Sequence, residues 1–196
     1  MTVQAKRFTP PAMQTDRIDI DIARSRLASA NVFDALSGFD PRWVGSIPLD
    51  IHGPGADADI CCCASPDLDS FQARLTDAFS KHDGFEVSPN LHAGEASIIA
   101  RFNLDDLPVE IYGRARPVES HESYIHWLAE DRLLRLAEDR LRLDVTRAKR
   151  QGLKTEPAFA TCLKLGGEPY AELLKLASPG DEALRAILRL AGYTPR

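Results

Sequence analysis

The sequence predicts an α/β chain, with a mixed sheet flanked by helices in its first part and a helical bundle in its last. Three observations carry that expectation. Short β-type runs alternate with helical ones up to Gly113, and from Glu119 onward the apolar spacing is helical. The 196 residues, 44% of them apolar, suffice for a core without disulfides or structural metals. The expected boundaries are a flexible leader over residues 1–18, an α/β core over 19–113 and a helical region over 114–196.

The leader, MTVQAKRFTPPAMQTDR, is polar and proline-bearing and lacks the apolar stretch of a signal peptide. No apolar run approaches the ~20 residues that span a bilayer, so the chain reads as cytoplasmic and of bacterial type. Ile22, Leu27, Val32, Phe33 and Leu36 predict a helix over residues 20–36, stopped by Gly38 and Pro41. RWVGSIPLDI reads as a strand entering a turn, and Pro48, Gly53, Pro54 and Gly55 make residues 48–55 a loop. DADICC is β-compatible, and residues 65–82 read as a helix with Ser65 as N-cap and Pro66 at its first position.

Three β-type runs follow, FEVSPNL, ASIIARFNL and LPVEIYG, joined by a turn at residues 92–94 and by Asp105–Asp106. One helical pattern then runs from Glu119 to Gly152. Three shorter helices in EPAFATCLKLGG, EPYAELLKLASPG and DEALRAILRLAGY complete the chain, each ended by glycine or Pro-Gly.

The net charge of −5 argues against general affinity for nucleic acid. It is unevenly placed: residues 1–113 hold 9 Lys/Arg against 17 Asp/Glu, and residues 114–154 hold 10 against 7. An acidic first half facing a mildly basic helical segment suits a metal–nucleotide complex, although solvated helix faces give the same count. Cys61, Cys62 and Cys63 are consecutive and lack zinc-site spacing, so these and Cys162 read as small buried apolar residues, with a reactive thiol the alternative.

Candidate chemistry concentrates in VGSIPLDIHGPGADADICC. On a strand, Asp57 and Asp59 point to one face while Ala58 and Ile60 point to the core. Two carboxylates aimed together repel unless a cation or water accompanies them, and Mg²⁺ suits such hard oxygen donors, with Mn²⁺ an alternative. Glu110 in PVEIYG lies mid-strand, on the face opposite Val109 and Ile111, and supplies a third acid. Gly45-Ser46 after a strand allows a phosphate to approach backbone N–H groups, with a hydroxyl beside them. A plain acidic turn would show the same Asp-x-Asp; the Gly-Ser pair and the third acid make the pattern more specific.

Gly-Ser, a spaced Asp-x-Asp and a third strand acid resemble the pattern of the nucleotidyltransferase fold of the DNA polymerase β superfamily. VGSIPLDIHGPGADADICC, PVEIYGRARPV, HWLAEDRLL and GLKTEPAFA together resemble the family catalogued as domain of unknown function 4269, over about residues 30–176, with KTEPAFA the most specific string. That family is grouped with nucleotidyltransferase-like proteins. Ala56 stands where it tends to carry serine, and the three acids are intact. The resemblance implies a nucleotidyltransferase-like sheet, with Asp57 and Asp59 as ligands for Mg²⁺, and Gly45 and Ser46 as holders of the β/γ-phosphates of an NTP. It implies that Glu110 completes a second metal site and helps deprotonate the attacking hydroxyl. The acceptor of the nucleotidyl group would be a small molecule, an RNA or other nucleic-acid end, or a protein. A protein that keeps this fold only to bind a nucleotide or partner is the alternative.

Lys154 in GLKTEPAFA is placed to approach a triphosphate, or else the string simply starts a helix with Thr155 as N-cap. Arg147, Lys149 and Arg150 read as a solvated helix end or a phosphate-binding cluster. His121 and His126, five residues apart, do not face one another on a helix. Tyr124 and Trp127 read as core, and His52 sits in the loop between Gly-Ser and the aspartates.

Overall fold

The computed structural model describes residues 18–65, 67–92 and 94–196, so the expected leader lies outside it apart from Ile18. The first helix starts where Asp19 caps it, its carboxylate accepting from the amides of Asp21 (2.8 Å) and Ile22 (3.4 Å). The helix expected over residues 20–36 is two pieces, α1 (Ile20–Ser29) and α2 (Val32–Ala35). Asn31 separates them with φ of 52°, a left-handed conformation that asparagine tolerates better than most residues.

Among the described residues five strands form one mixed sheet: β1 (Arg42–Val44), β2 (Ala58–Cys63), β3 (Asp83–His92), β4 (Glu95–Leu104) and β5 (Leu107–Arg114), in the order β1-β2-β5-β4-β3. Among them only β2 and β5 run parallel. Helix α3 (Leu68–Phe79) leads from β2 to the β3–β4 hairpin, which returns the chain to β5. Its N-cap is Asp67, whose carboxylate accepts from Ser70 N–H at 2.7 Å. The stronger acceptor two residues on replaces the expected Ser65.

Helices α1 and α3 cover one face of the sheet. Ala23, Leu27, Phe71, Leu75 and Phe79 pack there against Ile60, Cys62, Ala100, Phe102, Val109 and Ile111, all buried. Phe79 stacks on Phe102 with centroids 4.9 Å apart. Phe71 lies on Gly113 so closely that an added Cβ would overlap Cε1 and stand 2.7 Å from Cζ. Gly113→Ala is therefore expected to overpack this core by about 1–3 kcal/mol and to lower the melting temperature by roughly 3–10 °C. Thermal denaturation followed by circular dichroism checks it, and an unchanged melting point would contradict this packing.

The remaining helices are α4 (Glu122–Leu136), α5 (Asp139–Arg150), α6 (Thr155–Leu163), α7 (Pro169–Lys175) and α8 (Asp181–Ala191). The single helix expected from Glu119 to Gly152 is thus broken at Ala137–Glu138. The C-terminal residues take up the freed backbone groups: Glu138 N–H donates to Thr194 O (3.1 Å) and Arg196 N–H donates to Leu136 O (2.7 Å). That partner is some sixty residues away, and no helix breaker marks the site. Lys154, and not Thr155, occupies the N-cap of α6.

Leu133, Leu141, Val145, Phe159, Leu173 and Leu188 form the centre of a second core among these helices. The loop after β1 joins the two cores, placing Ile47 in the first and Leu49 and Ile51 in the second. Arg142 of α5 donates to the carbonyl of Leu49. Arg114, only 2% exposed, reaches Glu95 (3.1 Å) and Glu122 (2.9 Å), tying the hairpin to the start of α4. Among the described residues no helix is long and apolar enough to cross a membrane.

Candidate functional site

The parallel pair β2–β5 sets Asp59 directly beside Glu110. Alternation sends Ile60, Val109 and Ile111 to the core and turns Asp59, Glu110 and Tyr112 to the other face, which is partly buried along β5. Asp57 lies one residue ahead of β2 and not on the strand, as strict alternation required. It still acts electrostatically on Asp59 and lines the same cleft.

Gly45 follows β1, whose last residue, Val44, pairs with Asp59. Its φ is +77°, and a Cβ there would overlap Asp59 Oδ2 and stand 3.0 Å from Cγ. Both the backbone conformation and the neighbouring carboxylate demand glycine. Ser46, 9% exposed, follows at the cleft wall.

This cleft, about 600 Å³, opens between the sheet face and the helical region. Gly45, Ser46, Asp57, Asp59, Glu110 and Lys154 all line it. A smaller hollow of about 170 Å³ shares Asp57 and Glu110 with it and is lined also by Arg101.

Burial and the neighbouring charges of Asp57 and Glu110 push the Asp59 carboxyl up to about 8, against the opposing field of Lys149. Glu110 is engaged by the strand next to it: Arg101 donates to its Oε2 from Nε (2.8 Å) and Nη2 (2.5 Å). Among the described residues no group of three or more His, Cys, Asp or Glu side chains is gathered to hold a metal ion. Asp57 and Asp59 are the donors that fit one. They are hard oxygens crowded into mutual repulsion, and Mg²⁺ takes one or two carboxylates when phosphates complete its shell.

The helical wall brings Lys149, Glu156 and His126 to the cleft, and with them Glu130, which sequence reasoning passed over. Lys149 faces the cleft, and its Nζ donates to Thr155 Oγ1 at 2.5 Å. Burial lowers its affinity for the proton, while Glu130, Glu156 and Asp59 oppose that shift. Glu130 is 2% exposed, and burial together with Glu156 raises its carboxyl well above the usual range. His126 Nε2–H donates to Tyr170 O (2.9 Å), with Nδ1 3.7 Å from Glu156 Oε1. A signal was present: Glu130 interrupts the buried run Ala129–Leu133–Leu134, and Lys149 extends the Leu141–Val145 stripe by one turn.

The two remaining candidate histidines are held within the fold. His52 is fully buried, and its Nε2 donates to Ile18 O at 2.6 Å. His121 is buried with Nε2 donating to Arg116 O. Tyr124 stacks on Trp127, centroids 6.0 Å apart, and Trp127 reaches the cleft. The four cysteines are free thiols; burial pushes Cys61 up to about 11, and its Sγ lies 2.9 Å from Ser123 Oγ.

A mixed sheet with the Gly-Ser turn and the acids at one cleft, backed by helices, is a nucleotidyltransferase-like architecture. Solved structures agree on the fold. The chain is similar to Cid1 described as an RNA terminal uridylyl transferase (TM-score 0.52, 13% identity, 79% of this chain and 47% of that one). It is similar also to the Cid1 poly(U) polymerase with MgGTP bound (TM-score 0.53, 13% identity, 79% and 48%) and with Mg 3'-dATP bound (TM-score 0.52, 14% identity, 79% and 47%). The chain spans about half the length of these structures. No curated protein matches it. The model of the domain of unknown function DUF4269 matches residues 25–176, and the chain belongs to that family.

Proposed function

We propose that the protein binds a nucleoside triphosphate with Mg²⁺ in this cleft and transfers its nucleotidyl group to a hydroxyl acceptor. The observation that carries the reading is the close packing of the Gly45 backbone on the Asp59 carboxylate, which puts a phosphate-compatible turn against a carboxylate pair. Asp57 and Asp59 would hold the cation. When bound, Mg²⁺ supplies charge neutralisation of the phosphates and of the attacking and leaving oxygens.

This chain's residues would position the rest. The Gly45–Ser46 turn would receive the β/γ-phosphates, with Lys149 and Lys154 approaching from the helical side. The acceptor oxygen forms a bond to the α-phosphorus as the bond to the α–β bridging oxygen breaks. Pyrophosphate leaves with that electron pair, and the hydroxyl proton passes to Glu110, freed from Arg101. The Arg101–Glu110 contact also supports a second reading, a protein that binds nucleotide without transferring it.

Calorimetric titration of the four NTPs with Mg²⁺, paired with a pyrophosphate-release assay across hydroxyl acceptors, separates the two. Binding by wild type that is lost in Asp57→Asn and Asp59→Asn, with pyrophosphate release, is the expected result. Binding without release in any combination favours the second reading. An absence of nucleotide binding in folded wild type overturns both.

A further inference from the structure

The helical wall carries polar groups that the nucleotide reading leaves unused. Glu130 of α4 is 2% exposed and lines the cleft, and its Oε1 has no hydrogen-bond partner. Three residues earlier on the same helix, Trp127 also lines the cleft with its buried Nε1 unpaired. One group needs a donor and the other an acceptor. Buried polar atoms are rarely left so.

Charge extends the argument. The cleft is lined by the carboxylates of Asp57, Asp59, Glu110, Glu122, Glu130 and Glu156. Arg101 occupies Glu110, and Arg114 occupies Glu122. Asp57, Asp59, Glu130 and Glu156 then face two lysines, Lys149 and Lys154. Lys149 feels both glutamates electrostatically, yet it donates to Thr155 and forms no ion pair with either among the described residues. In the nucleotide reading the cation answers Asp57 and Asp59 while the phosphates take Lys149 and Lys154, which leaves Glu130 and Glu156 without a cationic partner of their own. His126 of α4 faces Glu156, at 3.7 Å. A polynucleotide end would bring more negative charge to this wall; an ammonium group would answer it, and an adjacent hydroxyl oxygen would accept from Trp127.

We infer that Glu130 and Glu156 form a subsite for a protonated amine, with Trp127 Nε1 donating to a neighbouring hydroxyl, so that the acceptor is a small amino alcohol or amino sugar. The role as acceptor and the charge count rest on the nucleotidyl-transfer reading; the unpaired Glu130 Oε1 and Trp127 Nε1 in the cleft do not. Burial and Glu156 keep the Glu130 carboxyl protonated in the free protein. An entering ammonium displaces that proton to solvent.

The test is calorimetric titration of the full chain, without nucleotide, in two buffers of different ionisation enthalpy. The probes are diaminopropanol, its uncharged counterpart glycerol, and an adenosine tetranucleotide. Diaminopropanol is expected to bind at least tenfold more tightly than glycerol and with proton release. Glu130→Gln should weaken it about tenfold and remove the buffer dependence, and Glu156→Gln should weaken it as well. A separate titration should still show Mg²⁺–NTP binding in both variants. Two variants keep the test decisive if one fails to fold by circular dichroism. Equal binding of diaminopropanol and glycerol, no amine binding, preference for the tetranucleotide, or wild-type affinity in both folded variants would each overturn the subsite. Amine binding without any Mg²⁺–NTP binding would overturn the transfer reading and leave the subsite standing.

Discussion

Asp59→Asn is expected to stabilise the metal-free protein increasingly as the pH rises from 5 to 8, while removing its response to divalent cations. An aspartate in the unfolded chain ionises near pH ~3.9, whereas in the fold Asp59 holds its proton until about pH 8. Between those values the native state binds a proton that the unfolded chain has released. Stability therefore falls as pH rises across the window and levels above about pH 8. Asparagine is neutral throughout and lacks that slope. Denaturant unfolding in a chelator should show the variant gaining roughly 3 kcal/mol on wild type between pH ~5 and pH ~8. Mg²⁺ or Mn²⁺ should raise wild-type stability more at the higher pH, because the ligand is the carboxylate, and should do little for the variant. A wild-type-to-variant difference that is equal at both pH values contradicts the buried, repelled state of this carboxyl.

Gly45→Ala is expected to weaken nucleotide binding about 100-fold in a protein that still folds. The alanine must keep a φ of +77°, which costs about 1–3 kcal/mol for a residue with a side chain. Its methyl group would also take the space of Asp59 Oδ2. The carboxylate must shift to make room, and a displacement of about 1 Å at such a site is worth ~100-fold. Circular dichroism should report a native fold with a modestly lower melting point, and calorimetry should report Mg²⁺–NTP affinity reduced by that factor. Unimpaired affinity in the folded variant would show that the Gly-Ser turn is a structural corner only.

Much of the architecture follows from patterns within a few residues of one another. The alternation in PVEIYG placed Glu110 opposite Val109 and Ile111, and the structure keeps that arrangement. The Pro169 start of α7 and the glycine stop of α8 are equally local. What escaped was decided at long range. Nothing near Ala137 announces that the last three residues of the chain will pair with it and divide one helix into two. Asn31 breaks the first helix by a single left-handed residue, which periodicity averages away. In the cleft, the sheet acids were readable because strand neighbours share a face. Glu130, Lys149 and Glu156 come from three different helices, and only their packing discloses that they meet. Arg101 was invisible for the same reason: its grip on Glu110 depends on the register of β4 against β5.

The loop that places Ile47 in one core and Leu49 and Ile51 in the other has a consequence for how the molecule comes apart. The segment bearing Gly45 and Ser46 is anchored from both sides, so melting of either core pulls on side chains packed in the other. Loss of the helices would expose two large aliphatic groups on the sheet half and unpin the turn at once. The smallest unit that keeps the cleft is therefore the sheet and its helices together.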